Sequence, residues 1–325
     1  MGEVPSALEQ IPELPSDDLM FRVAGTSYPL WFWRSGKQSV DQISAVLSHV
    51  GKSFKDFPRA LDFACGCGRM MLHLKDIGTT TELFGVDIDA EAIAWAREHI
   101  PWAKFSVNQG LPPLEFPDEY FDLVFNHSVF THLDERYQDA WLVELERITK
   151  PGAAVILSVS GEHVFAEFAK KLAEWGRDPQ PLRETLHNRG ILFIADDGAL
   201  SSPFPDFYHT TFHAPWYVFE RWGSIFDIRA YVVRGDLEYQ DLVLLTRREQ
   251  RVGTVPPLAD LPTKLNQSRT EVSQLRRSLR ECEQDKQSWR SAAAKAQSDL
   301  QNVLSSRSWR VTAPLRGFMS LFRSK

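Results

Sequence analysis

Apolar positions along this chain change their spacing in an ordered way, short apolar runs alternating with stretches where they recur every third or fourth residue. Ile43, Val46, Leu47 and Val50 repeat at helical spacing, which predicts a helix over 40–50. Apolar runs follow at 61–63, 84–86, 105–107, 121–125 and 153–159. This alternation predicts a parallel sheet with right-handed crossovers between 59 and 159, a plan that puts ligands at the carboxyl ends of the strands. From 161 to 215 the pattern is irregular, with a helix near 164–175 and then a loop region rich in Pro, Asp, Ser and aromatics, expected to cover the substrate. A helix over 216–222 stopped by Gly223 and strands over 226–233 and 240–245 complete the pattern, the two strands as an antiparallel edge. Residues before about 30, rich in Pro and acids, read as a loose arm.

Past Pro256-Pro257 and Pro262 the sequence changes character. Leu265, Val272, Leu279, Lys286, Ala293 and Leu300 fall seven residues apart, with Leu275, Cys282, Trp289, Ala296 and Val303 between them. That is the seam of a coiled coil and predicts a homo-oligomer, a solitary amphipathic helix being the alternative. The expected division is an arm over 1–36, a catalytic domain over 37–250, a linker over 251–263, a coil over 264–304 and a basic amphipathic tail over 305–325.

Composition narrows the classes. A chain of 325 residues with 43% hydrophobic content can bury a substantial core. No apolar run is long enough to span a bilayer, and the first residues lack a basic flank and apolar segment, so a cytoplasmic location is expected. Three cysteines build no disulfide framework, and Cys65 and Cys67 lack the second ligand pair of a zinc site, so no metal is expected. The net charge of −6 argues against nucleic acid as partner, yet 305–325 carries five basic residues and no acidic one. Arginines mixed with Trp309, Phe318, Leu321 and Phe322 suit an anionic membrane surface, the alternative being a partner-binding basic tail.

The densest chemistry lies in Leu61-Asp62-Phe63-Ala64-Cys65-Gly66-Cys67-Gly68-Arg69, an apolar run leading into a glycine turn that opens a helical pattern. Gly66 and Gly68 let the backbone approach a ligand. The third glycine of a dinucleotide fingerprint falls at Met71, which counts against NAD. Asp62, Gly66 and Gly68 instead resemble the first motif of class I S-adenosylmethionine-dependent methyltransferases. Phe84-Gly85-Val86-Asp87-Ile88-Asp89, the run ending in Asn126-His127, and 153–159 have the order of that family's later motifs. The resemblance covers 61–159 and implies a Rossmann-like α/β fold, mostly parallel with an antiparallel edge, and S-adenosylmethionine as cofactor.

It also implies roles. Gly66, Gly68 and Arg69 line the methionine and ribose part of the cofactor, and Asp62 lies near its amino group or caps the turn. Asp87 accepts the ribose hydroxyls beside Ile88, while Asn108 stands where relatives put an adenine-contacting acid. Asn126 follows the fourth strand, and Gly36, within Arg34-Ser35-Gly36, resembles a segment that closes over the cofactor. Asp89 reads as a helix cap. Methyl transfer to a hydroxyl benefits from a base, and histidine suits neutral pH. His127, His209 and His213 compete for that part, each with a structural reading beside it, whereas His132 is expected to pack locally. Asp134 and Asp206 can orient a histidine or bind a divalent metal, though nothing in their spacing requires either. The tail and the segment around His209 look like those of bacterial polysaccharide-assembly enzymes, so the expected acceptor is a sugar hydroxyl of a surface glycan. Another small acceptor, or a cofactor-binding scaffold, is the alternative.

Overall fold

The structure is a computed structural model that describes residues 11–195, 207–250 and 295. The linker, the coiled coil, the tail, Cys282 and Asp206 lie outside the described residues. All elements below belong to the unit Met1–Leu261.

Seven strands form one sheet in the order β3-β2-β1-β4-β5-β9-β8. Strands β1 (Arg59–Phe63), β2 (Glu82–Asp87), β3 (Ala103–Val107), β4 (Phe121–Phe125) and β5 (Thr149–Val159) run parallel, whereas β9 (Gln240–Arg247) is antiparallel to β5 and to β8 (Phe226–Asp236). The central strands are covered on both faces, which is why Ala60 through Phe63 are all buried and read as an unbroken run. The order reverses between β1 and β4, so a crevice opens at their carboxyl ends.

Three helices follow the expected pattern: α3 (Ala90–His99), capped by Asp89, α4 (Glu135–Ile148), capped by Asp134, and α5 (Glu162–Glu174). The irregular stretch contains more order than its pattern suggests. Helix α6 (Gln180–Arg189) and a small antiparallel pair, β6 (Ile191–Ile194) with β7 (Thr210–His213), pack with α5 around Phe165, Leu186, Leu192 and Phe212. Helix α7 (Pro215–Arg221) then precedes the final hairpin. Among the described residues no helix is long and apolar enough to cross a membrane.

Two expectations are corrected. The described part of the stretch before 30 is not a loose arm: α1 (Asp17–Ala24) starts at Ser16, whose Oγ accepts the Leu19 amide, and ends at Gly25 with φ 67°. Its Pro15 and acidic pair are start signals of a helix rather than marks of disorder. Helix α2 (Pro29–Ser48) begins well before 40, so a boundary at 36 cuts through it. Its first half buries Ser35, Gly36 and Ser39 among apolar neighbours, and those polar positions hide the helical period. After the glycine turn the chain makes only a 3-10 turn at Met71–His73 instead of a full helix.

Candidate active site

At the end of β1 the backbone doubles back through left-handed positions, Ala64 with φ 61°, Gly66 with φ 56° and Gly68 with φ 82°. The amide of Cys65 donates to the Val86 carbonyl at 2.9 Å, which ties the turn to β2. Space adds to the conformational demand: a Cβ on Gly66 would stand 2.5 Å from a Val23 methyl of α1, and one on Gly68 2.5 Å from Ile100. Asp87, at the end of β2, accepts the Gly66 amide at 2.7 Å and the Asp89 amide at 2.9 Å. Its carboxyl is held above its ordinary range by burial, which these amide donors partly offset.

A cavity of about 990 Å³ opens over this turn. That lies at the upper end for ligand sites and leaves room for two molecules side by side. Gly66, Arg69, Asp87, Ile88, Asn108 and His127 line it, as expected of positions gathered at the strand ends. Asp62, Gly68, Asn126 and Gly36 do not. Asp62 sits wholly buried behind the wall, and Asn126 has its side-chain oxygen on the Ser158 amide at 3.1 Å, bracing β4 against β5. Gly36 lies within α2, where a Cβ would meet the Arg69 carbonyl oxygen at 2.4 Å. It is the close contact of helix and turn, and its neighbours Arg34 and Ser35 are the ones that reach the cavity.

Of the three candidate bases only His127 is in the cavity wall. Its Nδ1 makes a short contact with Asp236 Oδ2, and Asp236 Oδ1 accepts from Ser39 Oγ at 2.8 Å. Asp236 is 1% exposed. Burial alone would raise its carboxyl, but His127, Ser39 and the nearby Arg69 together hold it below the ordinary range. Burial pulls the His127 imidazole down, Asp236 opposing and Arg69 assisting. A neutral imidazole beside a carboxylate results, with Nδ1–H given to Asp236 and Nε2 left as the basic nitrogen. Arg69 is itself buried, donates to Ser35 Oγ at 2.8 Å, and has its pKa lowered by that burial.

His209 and His213 are corrected. His213 is completely buried in β7, 3.0 Å from Gln138 Oε1, and burial alone pulls it down to about 3. His209, just before that strand, is 8% exposed, and its carbonyl accepts from His132 Nδ1 at 2.8 Å. The segment read as a substrate loop is in part a strand, so both rings point into packing. His132 lines the cavity, stacked on Tyr208 at 4.2 Å, with Nε2 3.2 Å from Ser128 Oγ.

Sequence reasoning missed Asp236 and Gln240, the residues that flank the β8–β9 turn, and the cavity-lining face of α2. The strand assignments placed a turn between 233 and 240, and two polar residues facing each other across it were the available signal.

Residues 61–157 match the family described as a methyltransferase domain. Over 118 residues the chain is 33% identical to an uncharacterized methyltransferase of Schizosaccharomyces pombe, covering 33% of this chain and 42% of that relative. Over 134 residues it is 29% identical to the ubiquinone/menaquinone biosynthesis C-methyltransferase UbiE of Neisseria gonorrhoeae, covering 36% and 51%. Among solved structures it is similar to a protein of Pyrococcus horikoshii at 20% identity, with 66% of this chain and 91% of the other covered and a TM-score of 0.45. The chain spans about half the length of the curated relatives it matches.

With the strand order and the glycine turn, the family match marks residues 61–157 as a class I methyltransferase domain. S-adenosylmethionine is the cofactor of such a domain.

The residues fit that cofactor. Both carboxyl oxygens of Asp62 are buried without a hydrogen-bond partner, and burial pushes the group up to about 8, with Asp87 adding to the rise and Arg69 opposing it. A cofactor's cationic amine in the cavity, acting directly or through a water, is the partner that these oxygens lack. Asn108 has an unpartnered buried Oδ1 for an exocyclic amine, and Asp87 remains the carboxylate for vicinal hydroxyls. The thiols of Cys65 and Cys67 are poor nucleophiles, since burial raises both, Cys67 to about 12.

Proposed function

We propose that the chain is an S-adenosylmethionine-dependent O-methyltransferase whose acceptor is a sugar hydroxyl of a surface glycan, with His127 as the proton acceptor. The observation that carries the reading is the pairing of His127 with Asp236 in the wall of the cavity that Asp87 and the glycine turn also line. Bound there, the cofactor supplies a methyl group on a cationic sulfur, an electrophile that needs an aligned nucleophile.

The share of the protein is alignment and the proton. Nε2 of His127 takes the proton of the acceptor hydroxyl as that oxygen becomes bonded to carbon, and ionised Asp236 stabilises the imidazolium that forms. Ser39 and Arg69 keep Asp236 ionised. Glu91 and Asp89 hold Arg22 of α1 at the cavity edge, at 2.6 and 3.3 Å. In the same reading the heptads of 264–304 join copies of the chain, and the basic aromatic tail meets an anionic surface beside membrane-bound glycan assembly.

A second reading, methylation of a ring carbon, is favoured by the likeness to UbiE. It uses the same base, since an aromatic carbon loses a proton after attack. The test is calorimetric titration with S-adenosylmethionine, then incubation with labelled cofactor and surface glycan. An alkali-stable O-methyl sugar in the hydrolysate supports the first reading, and cofactor binding without transfer to glycan counts against it.

A further inference from the structure

Helix α2 shows the cavity a stripe at helical spacing, Tyr28 at its cap, then Trp31, Ser35 and Gln38, and the same side of the helix continues behind the wall through Ser39 and Gln42. Tyr28 is 60% and Trp31 41% exposed and Gln38 is exposed as well, whereas Ser35 and Ser39 are buried. The inner end is bonded to the β8–β9 hairpin, Ser39 to Asp236 and Gln42 Oε1 to the Leu237 amide at 2.7 Å. The hairpin adds Tyr239, 53% exposed, to the same cavity. Three large aromatics from two separate elements thus remain in water at the edge of one cavity, an arrangement with a cost unless a ligand covers them.

Behind Tyr239 stands Gln240, which lines the cavity and is 8% exposed. Its amide orientation follows from its neighbours. The His209 carbonyl only accepts, so His132 Nδ1 carries the proton and Nε2 does not. Ser128 Oγ lies 3.2 Å from His132 Nε2 and 3.1 Å from Thr131 Oγ1, and it accepts from Gln240 Nε2 at 2.8 Å. The amide oxygen of Gln240 is left buried without a hydrogen-bond partner. Asp236 and Gln240 are register partners across the turn, so the residue behind His127 and the one with the orphaned carbonyl occupy facing positions of the hairpin.

We infer that Trp31, Tyr28 and Tyr239 grip the apolar face of a polyhydroxylated ring while Gln240 Oε1 accepts a hydrogen bond from a hydroxyl adjacent to the one deprotonated by His127. These residues thereby select acceptors that combine a stackable face with a second donor. The inference rests on the reading of the chain as a hydroxyl methyltransferase and adds the residues that choose the acceptor. A lone alcohol lacks the second donor, and a planar quinol presents its hydroxyls too far apart around the ring to satisfy both groups.

The full chain is first titrated with S-adenosylhomocysteine by calorimetry. The saturated protein is then titrated with methyl pyranosides of gluco, galacto and manno configuration, with cyclohexanol and with hydroquinone, followed by tryptophan fluorescence and saturation-transfer NMR. Binding of at least one pyranoside ahead of cyclohexanol and hydroquinone is expected. Trp31→Ala and Tyr239→Ala should each weaken it about fivefold and Gln240→Leu about tenfold, with the S-adenosylhomocysteine affinity unchanged. No pyranoside bound, a preference for hydroquinone, or variants equal to wild type overturns this inference while leaving the methyltransferase reading standing. Failure to bind S-adenosylhomocysteine removes that reading and this inference with it. The exposed aromatic variants also guard against an unfolded Gln240→Leu, because their side chains contribute little to the core.

Discussion

The half of the cavity built by β1, β2 and their turns differs from the half built by α2 and the β8–β9 hairpin in how far along the chain its contacts reach. Asp87 closes on the Gly66 amide from 21 residues away. Asp236 reaches His127 across 109 residues and Ser39 across 197. The first half is a local device, specified by a strand, a turn and the next strand, and its parts arrive together. The second exists only when both ends of the domain have docked. Chemistry common to many acceptors can reside in the local half, whereas the distant half can be varied one side chain at a time.

The separation can be broken most sharply at Asp236. Asp236→Asn is expected to lower methyl transfer by about 10³-fold while S-adenosylmethionine affinity stays within twofold, as compared by single-turnover transfer and calorimetry. The pH profile gives the sign. Burial holds His127 below its ordinary 6.5 and Asp236 opposes that shift, so the acid limb of transfer lies below 6.5 in the wild type and moves lower still in the variant. An unmoved limb means that His127 is not the base.

The converse experiment is Asp87→Ala, which should weaken cofactor binding about 100-fold by removing a carboxylate that accepts two hydroxyls. It should leave the ring resonances of His127 where they are. Movement of both signals would show that the two halves are one cooperative unit.

Stability against pH reports on the packing beneath the hairpin side. His213 is held near 3 in the fold against 6.5 when exposed, so below 6.5 the unfolded chain takes up a proton that the folded one refuses. Stability is therefore full above 6.5 and falls as the pH drops toward 3, by about 2 kcal/mol at pH 5 from this residue. Urea melts at pH 8 and pH 5 should show that loss, and His213→Gln should flatten it. The smallest effect is at the turn, where Leu237 and Glu238 both hold positive φ, 53° and 57°, without glycine. Changing Glu238→Gly should stabilise the chain by about 0.5–1 kcal/mol in the same melts.

This contrast also explains what could be read in advance. The sheet, the glycine turn, Asp87 and the entry of His127 into the wall followed from contiguous patterns, because parallel strands are continuous apolar runs and their ends must turn at small residues. The histidines at 209 and 213 misled because spacing along a strand does not say which face is covered, and β7 turns both rings into packing. Helix α2 was legible only from Val40 onward, where its buried positions are apolar. Upstream, Ser35, Gly36 and Ser39 are buried for the sake of Arg69 and Asp236, partners that no local window contains. Asp236 and Gln240 showed only as a polar pair across a turn, since their importance lies in residues far away in the chain.

Gly36 gives the junction of the two halves a mechanical character. With the Arg69 carbonyl 2.4 Å from where a methyl group would stand, helix and turn meet like a pin in a bearing with no clearance. An engineer wishing to retarget the cavity therefore has no freedom to slide or tilt α2, because the cradle would be dragged along with it. The workable route is to keep the axis fixed and exchange the side chains it displays at Tyr28, Trp31 and Gln38, a design space of few positions and many combinations.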